Sequence, residues 1–282
     1  MRFGLVLDPG AEVELVTQAR IAESAGYDLV WIREDPVRGV PNVFLVGASL
    51  ASDTRGLRVG LQAAVGALHP VFVAEDAAVC DLALEGRAIM GISAADGFGA
   101  DLAEAVRILL SAHRPRPFRS EGPRWPTPAN LDVNTFSHDR YVRVTPAPAQ
   151  TELPTWIHGD VDVAAEFGLP VVADTLDAGE AVWRRLDDDL GARALRLSRP
   201  AFVDVPMRED GHVDHHQLVA DLQSAQRSWG LDTALVRIPA SLDSPTWEEV
   251  VRDVQRLVRP RVQLDHMPPG LTDVWDGTLV RG

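Results

Sequence analysis

Lysine is missing from this 282-residue sequence, so all 27 of its permanently basic residues are arginines. Without lysine the chain cannot form a Schiff base through a side-chain amine, and it cannot carry the lysine of a Walker A phosphate loop. Acidic residues number 41, and the resulting net charge of −14 argues against binding to nucleic acid or to anionic membranes, because both require a basic surface.

Cysteine and long apolar runs are also scarce. The one cysteine, Cys80, excludes an internal disulfide, and its place on the apolar side of a predicted helix favours a buried thiol over a reactive one. No apolar run approaches the roughly 20 residues that span a bilayer. The first residues have the pattern of a strand and lack the regions of a signal peptide, so we expect a cytoplasmic protein.

Several catalytic motifs are absent as well. The sequence has no HExxH or CxxC, and the adjacent His215 and His216 would point about 100° apart on a helix, so they cannot readily share a small metal ion. The GxSxG of serine hydrolases is missing, and the first turn, at Asp8-Pro9-Gly10, lacks the GxGxxG of dinucleotide-binding folds. We therefore predict no metal site and no hydrolase triad.

The clearest structural signal present is the segment from Leu57 to Ile92. An apolar run from Leu57 to Val65 predicts a strand, Pro70 opens a helix that runs to Leu84, and Arg87 to Ile92 predicts a second strand. Elements joined this closely form a βαβ unit with a right-handed crossover, and such a unit requires parallel strands.

The same alternation continues along the chain and predicts eight strands with intervening helices, as a closed parallel barrel requires. Open doubly wound sheets usually have fewer strands. We therefore predict an α/β fold, a (β/α)8 TIM barrel that forms one domain over residues 1–282, with an insertion at 113–145 between strands four and five and an irregular C-terminal tail at 260–282. The predicted strands are Arg2–Leu7, Tyr27–Ile32, Leu57–Val65, Arg87–Ile92, Leu153–His158, Pro170–Asp174, Arg199–Val205 and Ala234–Ile238, and the predicted helices are Glu12–Ala25, Val43–Ser52, Val71–Leu84, Phe98–Ala112, Val161–Phe167, Ala178–Leu190, one within His212–Gly230, and Trp247–Val258.

The insertion is rich in proline, arginine and aromatic residues and has no sustained period. Structureless segments of this length are commonly lids, binding loops or disordered. Its aromatic residues, among them Phe118 and Trp125, could cover an apolar substrate or could form a hydrophobic cluster under the loop. Its arginines could bind an anion or could simply be solvated, and both alternatives stay open.

Three stretches of the chain resemble the bacterial luciferase-like, flavin-dependent monooxygenase family. The resemblance is clear over residues 1–170 and weaker beyond them. It rests on residues 22–35, on residues 58–92 with His69-Pro70 and Cys80-Asp81-Leu82-Ala83-Leu84-Glu85-Gly86-Arg87, and on residues 144–159 with Pro146, Pro148 and Gln150.

The resemblance implies a TIM barrel with an insertion, which agrees with the strand count, and a substrate bound over a flavin at the C-terminal mouth. It implies oxygenation of a small organic substrate with O₂ and reduced FMN supplied by a separate flavin reductase, or, in a sister branch, use of a deazaflavin coenzyme. It also implies a homodimer. In such enzymes the cofactor performs the difficult step and the protein supplies position, dryness and electrostatics.

Polar residues at the carboxyl ends of barrel strands are the candidates for chemistry. By the resemblance, Glu34 and Asp35 after strand two would fix the flavin or the substrate, although either could instead cap the next loop. His69 after strand three could donate a proton near the flavin, or it could orient the entry to the following helix. These three are the candidate catalytic residues.

Candidate cofactor contacts lie at the ends of strands three, four and five. Members of the family have closely spaced glycines after strand four, and this pattern is degraded here. The turn after strand five would bind the flavin phosphate at a helix N-terminus, but Asp160 is a good helix cap whose charge would repel phosphate. The candidates are Gln62, Ala63, Ser93, Gly97, His158 and Gly159.

Three functions are compatible with these residues. The first is an FMN-dependent monooxygenase acting on a small organic substrate. Asp160 and the altered 93–97 loop motivate the second, a luciferase-like barrel that binds a ligand or serves as a partner subunit without catalysis. The third is a deazaflavin-dependent oxidoreductase.

Overall fold

A computed structural model describes residues 1–35, 40, 42–66, 68–129, 136 and 140–264. Apolar runs of two to eight residues form strands that are buried on both faces, as parallel strands usually are. The eight strands are β1 (Arg2–Val6), β2 (Leu29–Arg33), β3 (Arg58–Val65), β4 (Ala88–Ala94), β5 (Thr155–His158), β6 (Val171–Val172), β7 (Pro200–Asp204) and β8 (Thr233–Arg237).

All strand pairs in the sheet are parallel, in the order β6-β5-β4-β3-β2-β1-β8-β7. A parallel bridge between Ala173 and Ala201 joins the two end strands, with the N–H of Ala173 donating to Pro200 at 3.0 Å and the N–H of Phe202 donating to Ala173 at 2.9 Å. The ring of strands is therefore closed, and the predicted (β/α)8 barrel is confirmed.

Helices cover the outside of the barrel, and most begin directly after a residue whose side chain caps them. Thr175, for example, accepts a hydrogen bond from the N–H of Ala178, so that helix begins two residues before the predicted Ala178. The helices are α1 (Leu15–Ala25), α2 (Val43–Ser49), α3 (Pro70–Ala83), α4 (Leu102–Ala112), α5 (Val161–Phe167), α6 (Leu176–Leu190), α7 (His215–Trp229), α8 (Ser244–Asp253) and α9 (Arg259–Leu264).

The prediction of an irregular tail is wrong for residues 260–264. Helix α8 continues through a π turn at Val254–Val258 into α9. Pro260 lies in the first turn of α9, where proline is tolerated, and Val258 and Val262 are fully buried, so the apolar side of the helix continues past the proline. The remainder of the predicted tail, 265–282, lies outside the described residues.

The insertion packs against α3 and α4 and reaches the mouth side of the barrel. Trp125 is buried in the main core, and its backbone N–H donates to the carboxylate of Glu104 on α4 at 2.7 Å. Thr127 contacts His69, which follows β3. Trp125 therefore belongs to the hydrophobic core, and residues 130–135 and 137–139 of the insertion lie outside the described part of the chain.

Two motifs of the sequence resemblance meet below the barrel. The fully buried Asp81 accepts hydrogen bonds from the N–H of Ala88 and from both the N–H and the side-chain amide of Gln150. The Gln150 amide also donates to the carbonyl of Ala88. These bonds tie the end of α3, the start of β4 and the segment before β5 together, so these motif residues have a structural role.

The barrel lumen is filled by aromatic side chains. Trp31 and Trp156 stack with ring centroids 5.2 Å apart and 15° between their planes. The lumen has room for them because a Cβ on Gly60 would lie 2.0 Å from the Trp31 ring, and one on Gly91 would lie 2.6 Å from it. Phe202, Leu29, Ile89, Val172 and Leu235 complete this inner cluster.

Candidate active site at the mouth of the barrel

Four side chains form a row of hydrogen bonds from the lumen to the mouth. The indole Nε1 of the buried Trp31 donates to Oε1 of Gln62 at 3.1 Å, and Nε2 of Gln62 lies 3.1 Å from Nδ1 of His158. Nε2 of His158 lies 2.7 Å from Oδ1 of Asp174, whose side chain is 65% exposed. The row thus links the centre of the barrel to an accessible carboxylate.

The directions of these bonds follow from Trp31, because an indole N–H can only donate. Oε1 of Gln62 must accept from it, so the amide nitrogen of Gln62 donates to Nδ1 of His158. With Nδ1 accepting, the ring proton of a neutral His158 lies on Nε2 and is donated to Asp174. The buried Trp31, two hydrogen bonds away, therefore selects one tautomer of His158.

Two arginines lie over the Phe202 ring, which closes the lumen on the β7 side. The guanidinium carbons of Arg33 and Arg237 are 5.9 and 5.2 Å from the ring centroid, and the His158 ring is 5.6 Å from it. Arg237 pairs with Asp204 through Nε and Nη2, both at 2.7 Å. Among the described residues, Arg33 contacts the Phe202 ring and makes no hydrogen bond or ion pair.

A cleft of about 330 Å³ opens beside these arginines, between the ends of β1, β2 and β8. Glu34 lines it, and one carboxylate oxygen accepts from the N–H of Ala64 at 2.8 Å. Burial raises the pKa of Glu34 above its ordinary value, and the hydrogen bond from Ala64 opposes part of that shift. Asp35 lines the same cleft, and its backbone pairs with Val40 in both directions.

His69 lies at the other side of the rim. Its Nδ1 accepts from the N–H of Val71, which caps α3, and its Nε2 contacts the hydroxyl of Thr127 in the insertion at 3.3 Å. Burial lowers the pKa of His69 below its ordinary value of 6.5, and the Glu104 carboxylate opposes part of that shift. Both ring nitrogens therefore have structural partners.

The remaining predicted cofactor contacts differ in where they face. Ala63 is buried in the outer core, so only its backbone is available, and its carbonyl accepts from the Ser93 hydroxyl at 3.4 Å. Ser93 lies four residues after the lumen residue Ile89 on β4, so the two side chains point to the same side of the strand and Ser93 faces the mouth. Gly97 and Gly159 have φ of +81° and +83°, and a Cβ at either would meet no atom within 4 Å.

Asp160 caps α5. Its carboxylate accepts from the N–H of Val163 at 2.9 Å, as an N-cap residue does. The start of α5, where the family resemblance leads us to expect the flavin phosphate, is therefore occupied by a negative charge.

Sequence reasoning missed Trp31, Arg33, Asp174, Phe202 and Arg237. Arg237 ends β8 and Asp174 follows the end of β6 by two residues, and both lie beyond the region where the resemblance is clear. Trp31 and Arg33 lie on β2 itself, before the residues that were considered. They can be found by counting every second residue along each strand, because alternate side chains point into the lumen.

Comparisons with known proteins identify the class of enzyme. Residues 6–201 match the sequence model of the luciferase-like monooxygenase family, and the chain belongs to that family. No curated protein matches the chain by sequence. The membership confirms the resemblance noted from the motifs.

Solved structures with the same fold include enzymes of two cofactor classes. The oxygenating constituent of 3,6-diketocamphane monooxygenase from Pseudomonas putida, solved with FMN, superposes with a TM-score of 0.69 at 15% identity over 93% of this chain and 99% of that one. Monooxygenase RslO1 from Streptomyces bottropensis gives 0.70 at 15% over 92% and 99%. The coenzyme F420-dependent tetrahydromethanopterin reductase from Methanopyrus kandleri gives 0.71 at 15% over 93% and 99%. At these identities the likeness establishes the fold alone.

Among the residues that the structure describes, no three His, Cys, Asp or Glu side chains are grouped as a metal ion would require. Over the same ranges, no helix combines the length and the apolar character needed to cross a bilayer.

Proposed function

We propose that this chain is a flavin-dependent monooxygenase that uses reduced FMN and O₂ to oxygenate a small organic substrate at the mouth of its barrel. Membership of the luciferase-like family supports this proposal. The observation that carries it is the row from Trp31 to Asp174, because it unites two predicted cofactor contacts, Gln62 and His158, above an aromatic floor.

We propose that the ring system of a flavin binds at this mouth. Phe202 and the stacked indoles below it form an apolar floor, and Arg33, Arg237 and Asp174 place polar groups beside it. The cleft of about 330 Å³, which Arg33 and Arg237 line beside Phe202, lies at the lower end of the range of about 300–1,000 Å³ that is usual for small-molecule sites. Phe202, His158 and Asp174 are not among the residues that line it. The phosphate end fits less well, because Asp160 holds the start of α5.

The side chains at the mouth have distinct roles in this proposal. A bound reduced flavin supplies the electrons for the reaction with O₂. Arg33 provides positive charge for an anionic ligand in a protein whose net charge is −14. Glu34, whose pKa is raised by burial, keeps a proton closer to neutral pH than an ordinary glutamate does. The filled lumen excludes water from below.

We further propose that a separate flavin reductase supplies the reduced FMN, since the described residues form a single barrel. A second copy of the chain is the other proposed partner. Of the eight large hydrophobic side chains exposed among the described residues, five lie on α2, on α3 or in the loop before α3. They are Leu45, Leu68, Phe72, Val79 and Leu82.

Two alternatives have specific support. Asp160 favours a barrel that binds a ligand without catalysis, because its charge opposes the phosphate of FMN. The likeness in fold to F420-dependent enzymes keeps a deazaflavin-dependent oxidoreductase as the other alternative. A deazaflavin coenzyme would meet the same acidic turn, so the phosphate problem is common to both cofactors.

Titration of the purified protein with oxidised FMN, reduced FMN and a deazaflavin separates these functions. We expect reduced FMN to bind most tightly. Addition of O₂ to the complex should then oxidise the bound flavin and leave the protein folded. Tightest binding of the deazaflavin would favour the oxidoreductase. Binding of none of the three would leave the non-catalytic barrel and reject the monooxygenase.

Replacing Asp160 tests the phosphate problem directly. Asp160→Ser keeps a good helix cap and removes the charge, so we expect it to tighten FMN binding by about 3- to 10-fold, in keeping with the strength of a charge near a helix N-terminus. Riboflavin, which lacks the phosphate, is the control and should bind both proteins equally. Equal affinity of the two proteins for FMN would reject charge repulsion as the cause.

A further inference from the structure

The carboxylate of Asp174 uses only one of its oxygen atoms within the protein. Oδ1 accepts from Nε2 of His158 at 2.7 Å, whereas Oδ2 has no partner among the described residues. With its side chain 65% exposed at the mouth, this carboxylate can accept a hydrogen bond from a bound molecule. The row of bonds from Trp31 through Gln62 and His158 holds it in place.

A hydrogen-bond donor lies next to this acceptor. Nη2 of Arg237 donates to the backbone carbonyl of Asp174 at 3.3 Å and to Asp204 at 2.7 Å, and Nε of Arg237 also donates to Asp204. Nη1 of Arg237 has no hydrogen-bond partner in the described ranges, although the guanidinium is fixed by these contacts and by the Phe202 ring. The free acceptor of Asp174 and the free donor of Arg237 therefore belong to two residues that are hydrogen-bonded to each other through the backbone of Asp174.

A cyclic imide is a chemical group that complements this pair. Its edge presents a carbonyl oxygen, an N–H and a second carbonyl oxygen, so the N–H can donate to a carboxylate while a carbonyl accepts from a guanidinium. The pyrimidine edge of the isoalloxazine is such an imide, and N3–H is the only ring N–H of an oxidised flavin. FMN and deazaflavins share this edge.

We propose that Asp174 and Arg237 form the imide-binding seat of the mouth, with Asp174 accepting from N3–H of the flavin ring. Trp31, Gln62 and His158 are positioning residues, because they act through the Asp174 carboxylate. The assignment rests on the proposed function, since it takes the ligand to be a flavin. The assignment gives the row of hydrogen bonds a purpose, which is to hold the Asp174 carboxylate so that its free Oδ2 can accept from the ligand.

The test compares oxidised FMN with 3-methyl-FMN, in which a methyl group replaces the imide hydrogen. The wild-type protein should bind FMN about 10- to 100-fold more tightly than 3-methyl-FMN, as expected for a hydrogen bond to a charged group. Asp174→Ala should reduce this ratio to near one. Asp177→Ala is the matched control, because it removes an equal charge from an exposed residue nearby and should leave the ratio unchanged.

Gln62→Leu provides a second variant that keeps the carboxylate but removes its support. Its ratio should fall between those of the wild type and Asp174→Ala, whereas a merely structural role of Gln62 would weaken both ligands equally. Equal binding of the two flavins by the wild type, or an unchanged ratio in Asp174→Ala, would overturn the imide seat and leave the flavin proposal intact. Failure of the wild type to bind either flavin would overturn both.

Discussion

His69 occupies a position where catalysis was expected, yet both of its ring nitrogens have partners in the scaffold. Nδ1 caps α3 and Nε2 contacts the insertion, so the side chain joins two segments of the rim. The proton-donor hypothesis and the structural alternative both began from the same His-Pro pair. The contacts support the structural alternative, and they make a measurable prediction about pH.

His69→Asn should reduce the loss of stability in mild acid. Because burial lowers the pKa of His69 in the folded state, the unfolded chain binds more protons, and stability is lost as pH falls below about 6.5. Asparagine can still cap α3 but does not titrate. Denaturant unfolding at several pH values between about 5 and 8 should give a shallower slope for the variant. An identical slope would contradict this assignment. Burial also lowers the pKa of His113, which contributes to the slope of both proteins alike.

Gln62→Glu should add a second proton to the ring of His158. One carboxylate oxygen would still accept from Trp31 and the other would require a donor, so Nδ1 of His158 becomes protonated while Nε2 keeps the proton that it donates to Asp174. Nitrogen-15 shifts of the imidazole distinguish the doubly protonated ring from the neutral tautomer, and the resonances of His113 serve as an internal control. An Nδ1 that stays unprotonated in the variant at neutral pH would show that the bond directions are wrong.

At the scale of the element, two glycines decide what the lumen can contain. Gly60 on β3 and Gly91 on β4 leave the space that the Trp31 indole fills, and this indole orients Gln62. Packing inside the barrel therefore determines the hydrogen bonding at its mouth. A substitution that moves the Trp31 indole should also move Gln62.

Gly60→Ala should destabilise the protein by about 1–3 kcal/mol, since the added methyl would lie 2.0 Å from the Trp31 ring and force it to move. Gly99→Ala is the matched control, because a Cβ there meets no atom within 4 Å. Denaturant unfolding measures both. Flavin affinity should fall with Gly60→Ala as well, and equal stability of the two variants would contradict the packing argument.

The barrel strands could be predicted from the sequence because parallel strands read as continuous apolar runs between turns. The extension of the last helix could not, because Pro260 indicates a helix end, and only tertiary packing of Val262 reveals that the helix continues. At the mouth, strand ends singled out Gln62 and His158 as candidates. The hydrogen bond between them joins residues that are 96 positions apart in sequence, and no local pattern contains that pairing.

At the scale of the whole molecule, one face of the barrel is apolar and exposed. Phe72, Val79 and Leu82 recur along α3 at a spacing that places them on one stripe, and α2 packs beside it with Leu45 exposed. Such a stripe on a protein of net charge −14 is best satisfied by an equivalent apolar surface, as a second copy provides.

The double variant Phe72→Asp, Val79→Asp should convert the proposed homodimer into a monomer. Two carboxylates on each copy would be buried against each other in the dimer, whereas they are solvated in the monomer. Sedimentation velocity measures the mass, and Leu195→Asp, at a residue that is 79% exposed elsewhere on the surface, should leave the dimer intact. A monomeric wild type would refute the proposed pairing.

The stacked indoles of Trp31 and Trp156 also give the protein an internal chromophore. Rings 5.2 Å apart and nearly parallel share their excited states, and one of them is bonded to Gln62 at the rim. We therefore expect a ligand bound above Phe202 to alter ultraviolet emission from the barrel centre. Tryptophan emission followed during a flavin titration would measure this change without any attached dye.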